Sequence, residues 1–217
     1  MEAVEVGDAV ESVDVVEIVD VPAPSAASEQ IDTVEEVVAE KLHPFGPYVA
    51  RFDAAAERWL DRWRGHPVPD TMFRTASRLG EWSLIWHGAS AAIAVAQPRR
   101  AGRTLRLAIL LGAESLIVNQ GIKRLITRTR PLVAGDPRHR LRRPRTSSFP
   151  SGHASSGFFA ATLLSRTVPQ LRPVWYAAAT VVAASRPYVR IHHASDVVAG
   201  AVVGRVLARI AGRVWPE

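Results

Sequence analysis

Five apolar segments occupy most of the chain beyond residue 81, and they restrict the folds that are open to it. Ala, Leu, Val and Gly dominate the segments, with little of the apolar–polar alternation that is typical of a half-buried strand. Proline, glutamine and arginine stand at the breaks between them. The pattern predicts an all-α protein in which each segment is one helix. The segments run over residues 82–96, 105–122, 153–168, 174–185 and 197–214.

Hydropathy alone does not decide whether these helices cross a membrane. A spanning helix needs about 20 mostly apolar residues, with a range of ~17–25, and several segments are shorter or contain arginine. Their many small residues suit close helix packing in lipid, and they suit a tight soluble bundle as well. Glu114 lies within the second segment. Because a carboxylate is costly in lipid, we expect Glu114 to face the bundle.

Residues 1–40 differ from the rest of the chain because all their charges are acidic. Valine alternates with Asp and Glu over much of this stretch, and an edge strand would show the same alternation. The single sign of charge and the Pro/Ala/Ser stretch that follows favour a disordered acidic tail. We do not expect a signal peptide, because the first region of a signal peptide is positively charged.

Residues 41–80 are predicted to form an amphipathic helix, over 45–64, and a linker. Trp59 and Trp63 recur at helical spacing with other apolar residues, and arginines lie among them. Such a helix suits a membrane interface, but an ordinary helix packed on a soluble core has the same pattern. Residues 65–67, Gly-His-Pro, are expected to end it. The remaining residues, 81–217, are predicted to form the helical bundle.

The body of the protein is strongly basic, since the formal net charge is +6 in spite of the acidic first forty residues. Nearly all of the basic residues are arginines, and Lys41 and Lys123 are the two lysines of the chain. A basic surface suits phosphate groups on lipid headgroups, nucleic acid or a small substrate. The chain has no cysteine, which excludes disulfides and thiolate metal sites.

Three polar stretches between the apolar segments carry the candidate chemistry. In the first, Lys123 and Arg130 are seven residues apart, about two helical turns, so a helix would place both on one face. Pro131 then tends to end that helix beside Arg130. An ammonium and a forked guanidinium can bind different oxygens of one phosphate. Positive flanking charge on a membrane helix would explain these residues, and also Arg124 and Arg128, equally well.

The second polar stretch, residues 150–153, has the sequence Pro-Ser-Gly-His and is predicted to begin a helix. Ser151 can cap this helix, and Gly152 lets backbone N–H groups approach an anion closely. His153, in the first turn, would then lie beside the bound anion. A plain capped helix with an incidental histidine is the alternative for this motif taken alone.

The third stretch places Arg186 six residues before His192 and Asp196 four residues after it. A carboxylate one helical turn onward can accept the Nδ1–H of the imidazole, which leaves Nε2 free as a nucleophile. The alternative is that Asp196 caps a helix and that His192 lies on a loop surface. His193 is one residue closer to Asp196, so we interpret it as a bystander.

Together the three stretches resemble the superfamily of type 2 phosphatidic acid phosphatases and vanadium-dependent haloperoxidases. The family pattern is Lys, six residues and Arg-Pro, then Pro-Ser-Gly-His, then Ser-Arg, five residues, His, three residues and Asp. The resemblance covers roughly residues 82–214 and meets the pattern in full. The matching residues are Lys123, Arg130, Pro131, Pro150, Ser151, Gly152, His153, Ser185, Arg186, His192 and Asp196.

This resemblance implies a multi-pass transmembrane bundle of about five spanning helices and a metal-independent lipid phosphatase. His192 would attack phosphorus to form a phosphohistidine, Asp196 would orient His192, and His153 would be general acid and then base. No cofactor and no metal are expected, because the acidic residues of the bundle are isolated from one another. The phosphate ligands would be Lys123, Arg130, Arg186 and the N–H groups at Ser151 and Gly152.

Substrate and topology remain open at this stage. The family's membrane phosphatases act on phosphatidic acid, phosphatidylglycerophosphate or polyprenyl mono- and diphosphates. The basic loop 138–145 would contact acidic lipid or a bulky headgroup. The positive-inside rule favours a cytoplasmic face for the site at the cell membrane.

Alternatives are a soluble acid phosphatase or haloperoxidase of the superfamily, or a non-enzymatic basic module on a membrane or nucleic acid. Because aromatic residues do not interleave with the basic loop, we expect no nucleic acid as partner.

Overall fold

The computed structural model describes residues 44–131 and 146–215, and the regular secondary structure of these residues is entirely helical. The seven helices are α1 (Pro47–Asp61), α2 (Pro67–Leu79), α3 (Leu84–Ala96), α4 (Ala101–Leu116), α5 (Gly152–Thr167), α6 (Arg172–Tyr188) and α7 (Ala194–Val214). The predicted tail, residues 1–40, and the basic loop 138–145 lie outside the described residues.

All five apolar segments form helices, as predicted, and short 3-10 turns precede α3, α4 and α6. Each turn coincides with a residue that commonly ends a helix. A glycine precedes Glu81–Ser83, and a proline is the first residue of Pro98–Arg100 and of Pro169–Leu171. Pro187 was expected to end its segment. Instead Pro187 lies within the last turn of α6, which ends one residue later at Tyr188.

The region predicted as a linker contains the helix α2, so that prediction was wrong. Pro67 occupies the first helical turn, where proline is well tolerated because its missing N–H would have no helical partner. The predicted amphipathic helix is α1, which begins at Pro47 and ends at Asp61. It buries Asp53 and Leu60 against the bundle and leaves Trp59 exposed.

Helix α5 is the centre of the bundle and packs against α4, α6 and α7. Its buried side chains, such as Phe159 and Leu164, form one core with Trp86 of α3 and Leu111 of α4. A second, smaller cluster joins Leu60, Tyr188, Val189 and Ile191, with Phe73 packed against it. This second cluster ties α1 and α2 to the segment that follows α6, where the third polar stretch lies.

Helix α4 does not end at Leu116 but continues through the π-helical turn Ile117–Ile122 into a last turn, Lys123–Leu125. With its preceding 3-10 turn it forms a helix of 28 residues, Pro98–Leu125. Within the described residues this is the single helix that is long and apolar enough to cross a membrane. Five spanning helices therefore remain a prediction.

Glu114 of α4 is buried and faces the bundle, as expected. Its carboxylate accepts a hydrogen bond from the hydroxyl of Ser155 on α5. The amide of Asn119, one turn further along, donates to Ser115 on its own helix.

Candidate active site

His192 lies in the short loop between α6 and α7, and its side chain is only 3% exposed. Arg190 adopts a left-handed conformation with φ 53°, which lets the chain reverse at this point. The backbone N–H groups of Ile191 and His192 both donate to the carbonyl of Arg186 at the end of α6. The loop is therefore fixed by its own backbone, and the imidazole points into the protein.

The two ring nitrogens of His192 face opposite charges. Nδ1 lies 3.6 Å from Oδ2 of Asp196, slightly beyond hydrogen-bond distance. Nε2 lies 3.3 Å from Nη1 of Arg130, which can only donate. This arrangement suits a neutral ring with its proton on Nδ1 and its lone pair on Nε2.

Burial is the largest cause of a lowered pKa for His192, which falls from 6.5 to about 3. The nearby carboxylate of Asp196 opposes this shift, while the cations Arg130, Arg186 and Lys123 add to it. Burial first, and then three positive side chains, thus favour the neutral imidazole. A neutral imidazole has the free lone pair that a nucleophile needs.

Lys123 and Arg130 were predicted to lie on one face of a single helix. That prediction was wrong, because the helix ends between them. Lys123 lies in the last turn of α4, whereas the chain leaves the helix at Ile126 and Arg130 lies outside regular secondary structure. Arg130 instead reaches the site through carbonyl groups: it donates to Ile191 at 2.8 Å and to Thr146 and Ser147 at 3.2 Å. These contacts hold its guanidinium beside His192.

Lys123 reaches the beginning of α5. Its Nζ atom lies 3.7 Å from the place that a Cβ atom on Gly152 would occupy. Lys123 itself is buried. The lysine of the first polar stretch therefore lies beside the turn that is formed by the second polar stretch, residues 150–153.

Arg186 and His153 both contact Ser77 of helix α2. Nη1 of Arg186 donates to the Ser77 hydroxyl, and Nε2 of His153 lies 3.3 Å from the Ser77 carbonyl oxygen. The approach is close, because a Cβ atom on Gly80 would lie 2.6 Å from Cδ2 of His153. Helix α2 thus contributes to the position of two candidate site residues.

Ser151 caps α5, as predicted, by accepting a hydrogen bond from the backbone N–H of Ala154 at 3.4 Å. Its own backbone N–H donates to the carbonyl of Asp196 at 2.9 Å. The prediction that this N–H binds phosphate therefore has to be corrected, since the group already has a partner. Gly152 is the remaining backbone candidate in the turn.

A family model described as the PAP2 superfamily matches residues 103–217, just over half of the chain. The chain belongs to the PAP2 superfamily. The family resemblance carried by the three polar stretches is thereby confirmed. The decaprenylphosphoryl-5-phosphoribose phosphatase of Mycolicibacterium smegmatis (strain ATCC 700084 / mc(2)155) is 35% identical over 138 residues, 63% of this chain and 73% of that protein.

Two crystal structures share the PAP2 fold of this chain. LpxE of Aquifex aeolicus superposes with a TM-score of 0.58 at 22% identity, over 72% of this chain and 92% of its own. A transmembrane PAP2 type phosphatidylglycerolphosphate phosphatase from Bacillus subtilis gives 0.60 at 20% identity, over 88% and 96%. At these identities the likeness shows the fold alone.

Sequence reasoning missed three residues of this PAP2 site: Arg128, Asp53 and Ser77. Flanking charge was the alternative explanation for Arg128, yet its side chain is 2% exposed and pairs with Asp53 and Asp196. Its partner Asp53 is 75 residues away along the chain. No local pattern could have indicated such a pairing, because neither residue belongs to a spaced motif.

His193 has a structural role in this site. It is the N-cap residue of α7, where its backbone N–H donates to Oδ2 of Asp196 at 2.9 Å. In residues 44–131 and 146–215, no three His, Cys, Asp or Glu side chains lie together in a way that could hold a metal ion. Metal independence stays a prediction to be tested with a chelator.

Proposed function

We propose that this protein is a membrane lipid phosphatase that works through a phosphohistidine on His192. One observation carries the proposal: the neutral imidazole directs its free Nε2 toward Arg130, with Asp196 behind its Nδ1. A phosphate placed beside Arg130 would present its phosphorus to that lone pair. Family membership supports a phosphatase independently of this geometry.

In the proposed reaction, Nε2 of His192 forms a bond to phosphorus while the bond from phosphorus to the lipid oxygen breaks. His153 donates a proton to the leaving oxygen and later takes one from the water that cleaves the phosphohistidine, a role worth about 10²–10⁴ in rate. Since Nε2–H of His153 faces the Ser77 carbonyl, Nδ1 is the nitrogen that exchanges the proton. The ring acts as the acid in its doubly protonated form, which the negative charge of a bound phosphate favours. Lys123, Arg130, Arg186 and the Gly152 N–H stabilise the charge on the phosphoryl oxygens.

For the substrate we propose a lipid phosphate of the phosphatidic acid or polyprenyl phosphate type. The names of the similar proteins support this class, since they include a decaprenyl-linked phosphatase and a phosphatidylglycerolphosphate phosphatase. Exposed valines at four-residue intervals on α7 also suit a lipid environment, because such a stripe is unfavourable in water. The stripe consists of Val198, Val202 and Val206, followed by Ile210.

The multi-pass topology, with the site on the cytoplasmic side of the cell membrane, is part of the same proposal and rests on the arginine bias of the loops. A single introduced cysteine tests it cleanly, because the chain has none of its own. Thr146 is exposed and adjoins the site. A Thr146→Cys variant in sealed, right-side-out vesicles should react with a membrane-impermeant maleimide only after permeabilisation. Labelling of intact vesicles would place the site on the outer face.

The decisive experiment measures phosphate release by purified protein in detergent across lipid monophosphates and diphosphates, with and without chelator. We expect His192→Ala to abolish release, because no other group replaces the nucleophile, while extraction from the membrane still requires detergent. His66→Ala is the matched control, since His66 is exposed and lies before α2. Normal turnover by His192→Ala would refute the nucleophile assignment.

A further inference from the structure

A buried arginine joins helix α1 to the candidate nucleophile. Nη1 of Arg128 donates to Oδ1 of Asp196 at 2.5 Å, and Nη2 donates to Oδ2 of Asp53 at 2.6 Å. The three side chains are 2%, 0% and 8% exposed. The ring of Phe45 lies under the guanidinium, with 5.2 Å between Cζ and the ring centroid. Arg128 is therefore held on two sides and covered on a third.

Asp53 also binds the first turn of α7 directly. Its Oδ1 accepts from the backbone N–H of Ser195 at 2.8 Å, and its Oδ2 accepts from the Ser195 hydroxyl at 2.7 Å. That hydroxyl in turn accepts from Nη1 of Arg128 at 2.8 Å. A carboxylate near a helix N-terminus is favoured by the helix dipole. Asp53 thus fixes both the guanidinium and the residue that precedes Asp196.

The carboxylate of Asp196 has little freedom as a result. Oδ1 is bound by Arg128, while Oδ2 accepts from the backbone of His193 and lies beside Nδ1 of His192. Without the guanidinium the carboxylate could rotate, and the imidazole would lose the group that fixes its tautomer. Burying three charges is costly, and a protein in which well-packed apolar residues replace such a group is often just as stable. The arrangement therefore indicates a role beyond stability.

We propose that Asp53 and Arg128 are positioning residues for the reaction: they orient Asp196, and through it the attacking nitrogen of His192. The inference rests on the proposed function, and it extends the working site to α1, which lies outside the residues matched by the family model. Neither residue touches the phosphate. Their loss should therefore slow the chemical step without weakening the binding of the phosphate by its cations.

The test compares Asp53→Asn with wild type on a phosphatidic acid substrate in detergent. Asparagine keeps the volume but removes the charge that fixes Arg128, which is then free to turn fully onto Asp196 and draw it away from His192. We expect kcat to fall ~10- to 100-fold, the loss that is typical when the hydrogen-bond partner of a metal-ligating side chain is removed. KM and the inhibition constant of inorganic phosphate should stay within about twofold of wild type, since both depend on uniform binding.

Asp61→Asn is the matched control. Asp61 lies on the same helix as Asp53 and also pairs with arginines, Arg64 and Arg190. It has no contact with Asp196 among the described interactions, and its partner Arg190 keeps Glu57, so kcat should fall far less than in Asp53→Asn. Arg128→Gln breaks the same link from its other side. The double variant with Asp53→Asn should fall no further than Arg128→Gln alone, since residues of one network are not additive.

Binding of orthovanadate supplies a measurement that needs no turnover. A five-coordinate vanadate bonded to Nε2 imitates the transition state, so its affinity depends on the orientation of His192. We expect Asp53→Asn to lose affinity for vanadate ~10- to 100-fold and to keep its affinity for phosphate. If the wild type hydrolyses no lipid phosphate, the proposed function fails, while this pair of affinities still decides the positioning role.

Two results would overturn the inference. One is a kcat and a vanadate affinity for Asp53→Asn equal to those of wild type. The other is a parallel loss of kcat, phosphate affinity and thermal stability, which would mean that Asp53 acts only as a structural residue.

Discussion

The environment of His192 favours the uncharged ring so strongly that folding should depend on pH. Its pKa is about 3 in the folded protein and 6.5 as the ordinary value. Below pH 6.5 His192 is protonated in the unfolded chain, whereas in the folded protein it stays neutral down to about pH 3. Stability is therefore fully present above pH 6.5 and is lost progressively as the pH falls toward 3.

We predict that wild type loses up to about 1.4 kcal/mol of stability per pH unit below pH 6.5 on account of His192. The measurement is the thermal unfolding midpoint in detergent between pH 7.5 and 5. His192→Ala lacks the group and should show a shallower decline over the same range. Parallel curves for the two proteins would mean that this ring is not kept neutral.

Which residues could be predicted depended on how far apart their partners lie. His192 and Asp196, and the Ser151 cap with Ala154, are within one helical turn, so spacing alone indicated them. Arg128 is bonded to Asp53, 75 residues away along the chain, and Arg186 is bonded to Ser77, 109 residues away. Such pairings arise from the packing of whole helices, which no local motif encodes.

At the level of helices, two glycines let α7 approach α5 with backbone against backbone. A Cβ atom on Gly200 would overlap the carbonyl oxygen of Ser151, and one on Gly204 would overlap that of Ser155. These glycines bring the turn at 150–153 to the first turns of α7, where Asp196 accepts the Ser151 N–H. The helix crossing thus sets the distance between two parts of the site.

We predict that Gly200→Ala destabilises the protein by about 1–3 kcal/mol, the usual cost of an overpacked contact, and lowers kcat as well. Both follow because the new methyl group pushes α5 and its turn away from Asp196. Gly112→Ala on α4 is the control, since a Cβ atom there meets nothing within 4 Å. It should be neutral or stabilising by up to ~1 kcal/mol. Thermal unfolding and phosphate release check both, and equal behaviour of the two variants would contradict the packing argument.

Helix existence was easier to predict than helix bounds. Apolar segments identified α3 to α7, but the extended conformation at Ile126 could not be deduced from the regular Lys–Arg spacing. Helix α2 was missed because Pro67 was interpreted as a terminator when it in fact occupies the first turn. Proline signals a boundary without saying on which side the helix lies.

At the level of the molecule, α1 and α2 are built into the bundle. Arg64, between them, donates through Nε to the carbonyl of Tyr188 and through Nη2 to that of Pro187, each at 2.8 Å. The Tyr188 carbonyl is at the end of α6, where carbonyls lack a helical partner, whereas the Pro187 carbonyl also accepts from the backbone N–H of Arg190 at 3.0 Å. The Tyr188 hydroxyl makes a second link to the N-terminal helices, because it donates to Asp70 of α2 at 2.5 Å. The segment that carries His192 is thus anchored from the N-terminal helices.

We predict that Arg64→Ala lowers stability by about 1–3 kcal/mol, because it leaves the buried carbonyl of Tyr188 without a donor. Arg62→Ala, two residues earlier and exposed, should change stability by less than about 0.5 kcal/mol. Thermal unfolding in detergent measures both. If the two variants melt together, α1 and α2 are a separable attachment to the bundle.

The π-helical turn Ile117–Ile122 has a consequence for how such chains can change length. A π turn holds about one residue more than an α turn, and this wider turn absorbs the extra residue within the helix. Deleting one residue there would restore an α turn and leave Lys123 on about the same side of the helix, still directed at Gly152. An insertion or deletion elsewhere in this helix has no such compensation and would rotate Lys123 by about 100°. This turn is therefore the place where relatives can differ in length by one residue and keep the lysine in the site.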